Sequence, residues 1–233
     1  MSARYAVFFC PDDHSELAQF GNRVLGRNAK GDALAPVDGD FPDRAIAATL
    51  SQTPAHYGFH ATLKAPFELA AHSSQLELLS HTEALASAQR PIALNGLRPR
   101  LLAGFMALAF DQQPSAVSAL ASECVQALEP FRSELTEADL IKRKPAQLSE
   151  QQKAYLFRYG YPYVLTEFKF HMTLTSKLGT SNYQDYFDWL ITLFDQLVPA
   201  TPTLDRLAVF WQPDRSVAFK RIAQFPFLDD ALL

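Results

Sequence analysis

Two short phrases of this 233-residue chain share the pattern His-x-Thr-Leu, and each follows a phenylalanine. The first is Phe-His-Ala-Thr-Leu-Lys over 59–64, and the second is Phe-His-Met-Thr-Leu-Thr over 170–175. Apolar and polar residues alternate in both, which predicts β-strands with one buried and one polar face. The histidine and threonine of each phrase then share the polar face, about 6.6 Å apart at a rise of ~3.3 Å per residue.

Two imidazoles and two hydroxyls converge if these strands face one another across a cleft. One neutral imidazole would take a proton from water, and the other, protonated, would donate a proton to a leaving alkoxide across a phosphorus atom. The hydroxyls would donate to the non-bridging oxygens as charge builds on them. The predicted catalytic residues are His60, Thr62, His171 and Thr173, with no metal or cofactor. We expect His171 to be the base and His60 the acid in hydrolysis, and the reverse reaction would exchange these roles.

The composition excludes other devices for handling phosphate. The formal net charge is −4, from 21 Lys and Arg against 25 Asp and Glu, which argues against non-specific binding of long nucleic acid. None of the nine glycines forms a Gly-x-Gly pair, and Gly21 and Gly26 have Walker spacing but precede Arg27 and Asn28 rather than Lys and Ser or Thr. Phosphate would therefore be bound by side chains.

Features of metal, disulfide and membrane proteins are scarce. Cys10 and Cys124 are too few for a multi-thiolate site and do not resemble a disulfide framework. His56 and His60 would lie about 13 Å apart along a strand, too far to share one ion. The longest apolar segment, 101–110, is far below the roughly 20 residues that span a bilayer. We expect a soluble, cytoplasmic protein without a membrane partner.

The elements around the motifs predict an α+β fold with mostly antiparallel strands. Their order is strand, helix, strand, helix, paired strands, helix, a charged segment, strand, helix and paired strands. The strands that carry the two motifs are predicted over 56–66 and 166–176. Because no Pro-, Ser- or Gly-rich linker divides the chain, residues 1–233 are predicted to form a single domain.

Longer phrases around the motifs resemble the two-histidine phosphoesterase superfamily, which includes bacterial RNA 2′,5′ ligase-like enzymes and cyclic nucleotide phosphodiesterases. The stretches 57–67, 160–164 and 168–175, with Arg4-Tyr5-Ala6 near the start and 207–210 near the end, are similar to an uncharacterised branch associated with bacterial phosphonate utilisation. This resemblance covers nearly the whole chain. It implies two lobes related by a pseudo-two-fold axis, with duplicated sheets, outer helices and the motifs facing each other in a central groove. It also implies that both histidines and both threonines are catalytic.

The motifs and the resemblance together predict a metal-independent phosphodiesterase that hydrolyses a small ribose-containing cyclic phosphate, in the context of phosphonate metabolism. The candidate substrates are a 2′,3′-cyclic end and a phosphoribosyl cyclic phosphate. An RNA end-processing or 2′,5′ ligase-like enzyme, with RNA ends as its partner, is the first alternative. A non-catalytic protein that binds a phosphate ligand is the second. The mild negative charge favours the small ester.

Five further residues are candidates for contacts with the substrate. Lys64 and Thr175 occupy the next outward position after each motif and would bind phosphate or ribose, with a solvated strand end as the alternative. Tyr5, Tyr57 and Tyr161 would line the groove, by stacking or through their hydroxyls, with packing in the core as the alternative.

The charged segment 130–161 is predicted to form short helices that are inserted over the cleft. Its basic side chains could attract a second phosphate. For the three consecutive basic residues at 142–144, a solvated helical face is the favoured interpretation. The basic residues concerned are Lys142, Arg143, Lys144 and Arg158.

Overall fold

The computed structural model describes residues 3–34, 44–179 and 183–228, and this part of the chain contains nine strands and seven α-helices. The strands are β1 (Arg4–Phe9), β2 (Ala61–Glu68), β3 (Ile92–Ala93), β4 (Arg98–Leu102), β5 (Phe105–Ala109), β6 (His171–Thr173), β7 (Thr203–Leu204), β8 (Arg206–Gln212) and β9 (Lys220–Pro226). The helices are α1 (Glu16–Leu25), α2 (Arg44–Ala55), α3 (Gln75–Ser87), α4 (Ser115–Ala127), α5 (Glu137–Arg143), α6 (Glu150–Tyr159) and α7 (Gln184–Leu197).

Seven strands form one sheet in the order β4-β5-β6-β2-β1-β8-β9, and β3 pairs with β7. Every one of these pairings is antiparallel. The predicted α+β class is therefore confirmed. The motif strands β2 and β6 are direct neighbours at the centre of the sheet, rather than opposed across a cleft. On their other sides β2 pairs with β1, and β6 pairs with β5.

Helices pack on one face of this sheet. The main core joins alternate residues of β1, Tyr5, Val7 and Phe9, to apolar side chains of α1, α3, α4 and α7. The apolar residues of both motifs lie in the same core and are at most 2% exposed, as their alternation predicts. They are Phe59, Ala61, Leu63, Phe170, Met172 and Leu174.

The opposite face of the sheet carries a smaller apolar cluster and the polar residues of the motifs. Phe8 is paired with Thr62 across β1 and β2, and side chains of paired residues emerge on the same face. The candidate groove therefore lies on the face away from α1, α3, α4 and α7. The cluster consists of Ala6, Phe8, Cys10, Ala29, Ala208, Phe210 and Phe219, with Tyr57 packed against it.

The strand of the first motif begins later than its periodicity predicts. Helix α2 continues to Ala55, and the chain then turns at Gly58, whose φ of +79° suits glycine. The amide of Gly58 donates to the carbonyl of Pro54 at 3.1 Å, which closes a turn directly after the helix. His56 therefore belongs to a turn, and the separation of 13 Å expected between His56 and His60 along a strand does not apply.

The charged segment 130–161 contains α5 and α6, joined by a turn of 3₁₀-helix at Pro145–Gln147. Helices α5 and α6 both begin with capping boxes, in which Thr136 and Ser149 accept from the backbone three residues later. Gly160 ends α6 in the left-handed region at φ +73°. Among the described residues, no helix has the length and apolar character needed to cross a bilayer.

Candidate functional site

The pairing of β2 with β6 brings the two motifs together. Ala61 pairs with Met172, so continuing the antiparallel register by one residue sets His60 opposite Thr173 and Thr62 opposite His171. All four polar side chains then emerge on the face opposite the helices. The two histidines are diagonal neighbours, for which Cβ atoms lie about 7–8 Å apart. The predicted catalytic residues thus lie within the span of one small substrate.

Backbone carbonyls hold both imidazoles in the same way. Nδ1 of His60 lies 2.8 Å from the carbonyl oxygen of Gly58, and Nδ1 of His171 lies 2.8 Å from that of Lys169. Because a carbonyl only accepts, the proton of the neutral ring resides on Nδ1 in each case. Each Nε2 is then left as an acceptor that can exchange a proton with a substrate.

His60 is packed among aromatic rings. Its imidazole stacks on Phe8 with ring centroids 3.8 Å apart, and Tyr57 and Phe210 lie 6.0 and 6.2 Å away. Burial lowers the pKa of His60 to about 4, against the opposing hydrogen bond to Gly58 and with a further lowering by the nearby His171. His60 is therefore neutral at pH 7, with Nε2 3.3 Å from the Thr62 hydroxyl.

One of the predicted substrate contacts, Tyr57, lies on the groove side. Tyr57 stacks on Phe219 with ring centroids 5.3 Å apart and lies beside His60. Tyr161 contacts the Arg143 guanidinium, 4.7 Å from its ring centroid, and the Tyr163 ring at 5.6 Å. Burial raises the pKa of Tyr161, and the charge of Arg143 opposes this.

Lys64 does not lie in the groove. The register of β1 with β2 shifts between the pairs Val7–Lys64 and Phe8–Thr62, which is a β-bulge. The bulge turns Lys64 to the helix side, where it is 2% exposed. Its Nζ donates to the carbonyl of Val125 at 3.1 Å and pairs with Glu129 at 2.5 Å. The predicted contact with phosphate or ribose is thus replaced by an ion pair beside α4.

Tyr5 and Thr175 also lie outside the groove. Tyr5 is on the helix side of β1, 8% exposed, and its hydroxyl donates to Gln75 Oε1 at 3.1 Å. Thr175 is 1% exposed, and its hydroxyl accepts from the amide of Met106 at 2.9 Å. The amides of Leu174 and Thr175 both donate to the Met106 carbonyl, so the alternation of the second motif ends at Thr173.

The structure also adds residues to the groove side that the sequence did not identify. Phe8 contacts His60 directly, and Arg4 lies on the same face of β1. The guanidinium of Arg4 donates to Oε1 of Gln212, which is fully buried. Alternation along β1 separates Arg4 and Phe8 from Tyr5, and this signal is present in the sequence. Alternation along β1 does not, however, indicate which of its two largely apolar faces borders the groove.

Comparisons with known proteins give a family and two curated relatives. A family described as "Protein of unknown function (DUF1045)" matches residues 62–220. A protein of Janthinobacterium sp. (strain Marseille), named ribose 1,5-bisphosphate phosphokinase PhnN, is 40% identical over 176 residues, which are 75% of this chain and 39% of that protein. A protein of the same name from Laribacter hongkongensis (strain HLHK9) is 30% identical over 221 residues, 93% of this chain and 50% of that protein. The chain thus spans half or less of the length of these relatives.

A solved structure shows a weaker likeness. It is the structure of a conserved protein of unknown function from Agrobacterium tumefaciens str. C58. The match covers 96% of this chain and 86% of that one, at 12% identity and a TM-score of 0.43. The family match, in contrast, extends over well more than half of the sequence, and the chain therefore belongs to the DUF1045 family.

Proposed function

We propose that this protein is a metal-independent cyclic phosphodiesterase that acts on a small ribose-containing cyclic phosphate. The observation that carries the proposal is the direct pairing of β2 with β6, which presents two histidine–threonine pairs on one face. The carbonyl partners of both Nδ1 atoms leave two Nε2 atoms for proton transfer. General acid and general base catalysis at phosphorus requires two such groups.

In the proposed reaction, water attacks phosphorus and one P–O bond of the ring breaks. His60 Nε2 takes a proton from the water, and the imidazolium of His171 donates a proton to the departing ring oxygen. The product is a phosphomonoester with a free hydroxyl, and the threonine hydroxyls stabilise the charge on the non-bridging oxygens. The low pKa of His60 favours it as the base because it is neutral at pH 7. This assignment reverses the one expected from the sequence.

The names of the curated relatives support a phosphorylated ribose as the substrate class. Both are named for a phosphokinase of ribose 1,5-bisphosphate, and the label PhnN agrees with the phosphonate context of the resemblance. We do not extend the kinase activity to this chain. Gly21 lies inside α1 and Gly26 caps its C-terminus, so these glycines form no phosphate loop between a strand and a helix.

A panel of cyclic esters tests the proposal. Purified protein is incubated with ribose 1,2-cyclic phosphate 5-phosphate and with 2′,3′-cyclic nucleotides, and the products are identified by phosphorus NMR. We expect ring opening to a monoester, and a loss of about 10²- to 10⁴-fold in kcat for His60→Ala and for His171→Ala. His14→Ala, at an exposed histidine, is the matched control.

Other outcomes of the panel would contradict the proposal. Full activity in both histidine variants would exclude the two-imidazole reaction. Tight binding of the cyclic esters without turnover would favour a phosphate-binding protein. Strong, steeply salt-dependent binding of oligonucleotides that end in a cyclic phosphate would favour RNA end processing.

A further inference from the structure

A cleft with a basic lining opens beside the candidate groove. It is bounded by the N-terminal end of β1, by helix α5, by the segment before it and by Gly160 at the end of α6. The cleft is lined by more basic than acidic side chains. The basic ones are Arg4, Arg132, Lys142, Arg143 and Arg215.

Two of these five cations already have carboxylate partners. Arg215 pairs with Asp139 at 3.0 Å and with Glu68 at 3.4 Å, and Arg132 pairs with Glu129 at 2.6 Å. These ion pairs partly offset the charges of the two guanidinium groups and fix one wall of the cleft.

The other three cations have no such partner. Within residues 3–34, 44–179 and 183–228, no carboxylate lies within 4.0 Å of the charged groups of Arg4, Lys142 and Arg143. Arg4 donates instead to the amide oxygen of Gln212, and Arg143 lies 4.7 Å from the ring centroid of Tyr161. Both guanidinium groups are thus positioned by neutral partners and, within the described residues, have no direct carboxylate partner, although Asp139 and Glu68 act on Arg4 from a greater distance.

The cations of the cleft act on Lys142. Partial burial lowers the pKa of Lys142, the charges of Arg4, Arg215 and Arg143 lower it further, and Asp139 opposes them. Burial also lowers the pKa of Arg4, again with a contribution from Arg215. Like charges held this close destabilise the free protein, and a bound anion would relieve the repulsion.

Aromatic contacts connect Arg4 with the candidate active site. The Arg4 guanidinium lies 5.3 Å from the ring centroid of Phe219, which stacks on Tyr57 at 5.3 Å. Tyr57 in turn lies 6.0 Å from His60. Along β1, Arg4 is four residues from Phe8, which corresponds to about 13 Å between Cα atoms on the same face, and the long Arg4 side chain can shorten that distance. Arg4 therefore lies on the same face as His60 and Thr62, where a second charged group of a substrate would meet it.

We propose that Arg4, Lys142 and Arg143 form a second anion site, which binds a terminal phosphate of the cyclic ester and does not take part in the chemistry. The inference rests on the proposed function and narrows its substrate to a cyclic phosphate that also carries a phosphomonoester. Guanidinium groups bind phosphate through two parallel hydrogen bonds, and an ammonium adds a point charge. Gln212 positions Arg4 and is itself held by a hydrogen bond of 2.6 Å to the carbonyl of Val217.

Two substrates that differ only in the terminal phosphate test this site. We compare kcat/KM for ribose 1,2-cyclic phosphate 5-phosphate and for ribose 1,2-cyclic phosphate. The wild type should prefer the phosphorylated ester by about 10- to 100-fold, since hydrogen bonds between charged groups are stronger than neutral ones. Arg4→Gln and Lys142→Gln should reduce that preference, mainly by raising KM for the phosphorylated ester, and should change turnover of the truncated ester little.

The matched control is Arg158→Gln, which removes the same charge from an exposed position of α6 outside the cleft and should keep the preference for the phosphorylated ester.

Calorimetric titration with ribose 5-phosphate provides a readout without turnover, and Arg4→Gln should weaken this binding about tenfold or more. Turnover of both esters with equal kcat/KM, or an unchanged preference in Arg4→Gln, would overturn the second site and leave the phosphodiesterase proposal intact. No turnover of either ester would instead contradict the proposed function, and calorimetry would then decide the anion site separately.

Discussion

His60 and His171 are held by the same local contact, a hydrogen bond of 2.8 Å from Nδ1 to the carbonyl oxygen two residues earlier in the chain. Both rings make this contact although their surroundings differ. His60 lies among Phe8, Tyr57 and Phe210, whereas the described aromatic neighbour of His171 is Phe105 at 6.0 Å. The backbone therefore sets the same tautomer in both rings, and burial among aromatic rings lowers the pKa of His60.

The threonine hydroxyls of the motifs should affect catalysis, and the next hydroxyl along the chain should not. Thr62→Val and Thr173→Val keep the shape of the side chain and should lower kcat for a cyclic ester by about 10- to 100-fold, because a donor to the non-bridging oxygens is lost. Thr175→Val should instead destabilise the protein by about 1–3 kcal/mol, because the Met106 amide loses its acceptor, with kcat retained. Steady-state kinetics and denaturant unfolding separate the two effects. Equal loss of kcat in all three variants would contradict the placement of Thr175 outside the groove.

The activity of the protein should persist well below the ordinary pKa of histidine. If His60 is the base, kcat/KM falls on the acid side only as His60 becomes protonated, near pH 4 rather than near 6.5. NMR titration of the His60 ring protons measures that pKa directly. An acid limb and a His60 titration that both lie near pH 6.5 would contradict the lowered pKa of His60.

The same shift should make stability depend on pH. The pKa of His60 is about 4 in the folded protein and about 6.5 when unfolded, so the unfolded chain binds more protons between these values. The free energy of unfolding should therefore fall as pH decreases from 6.5 to 4, by up to about 3 kcal/mol from this group. His60→Gln should flatten this part of the profile in urea titrations. A variant with the same slope as the wild type would assign the dependence to other groups.

The sequence predicts the buried and polar sides of the two motifs, but not the extent of their strands. The strand predicted over 56–66 is β2 (Ala61–Glu68), and the one predicted over 166–176 is only β6 (His171–Thr173), because Leu165–Glu167 form a turn of 3₁₀-helix. Phe59, Leu63, Phe170 and Leu174 are all in the core, as the pattern requires. What alternation cannot predict is a change of register. The bulge in β2 moves Lys64 to the helix side, although its sequence position is equivalent to Thr175.

The sequence also predicts the class of the fold, but not how its halves meet. Short antiparallel strands and helices are visible in the periodicity, whereas the pairing of Ala61 with Met172 joins residues more than a hundred positions apart. Long-range pairing depends on which strand edges remain free, which no local pattern records. For the same reason the basic residues at 142–143, whose run in the sequence favours a solvated face, come to lie beside Arg4 only in the folded chain.

The buried ion pair of Lys64 and Glu129 should respond unequally to the removal of either partner. Glu129→Gln leaves the ammonium of Lys64 buried with the Val125 carbonyl and should cost about 3 kcal/mol or more. Lys64→Met is similar in volume, and Glu129 keeps Arg132 as a partner, so the cost should be below about 1.5 kcal/mol. Denaturant unfolding measures both, and kcat/KM for a cyclic ester should be unchanged in Lys64→Met. A large increase of KM in Lys64→Met would contradict the position of Lys64 on the helix side and would indicate that it contacts the substrate.

A glycine of α1 should control the position of the first motif. A Cβ at Gly21 would lie 2.0 Å from ring atoms of Phe59, the residue before His60. Gly21→Ala should therefore destabilise the protein by about 2 kcal/mol or more in spite of the better helix propensity of alanine, and it should lower kcat by displacing His60. At Gly26 nothing lies within 4 Å of an added Cβ, so Gly26→Ala should cost only about 1 kcal/mol, from its φ of +66°. Thermal unfolding and kinetics of the two variants provide the comparison. Gly21→Ala with wild-type stability and kcat would show that the contact between α1 and Phe59 does not hold His60 in place.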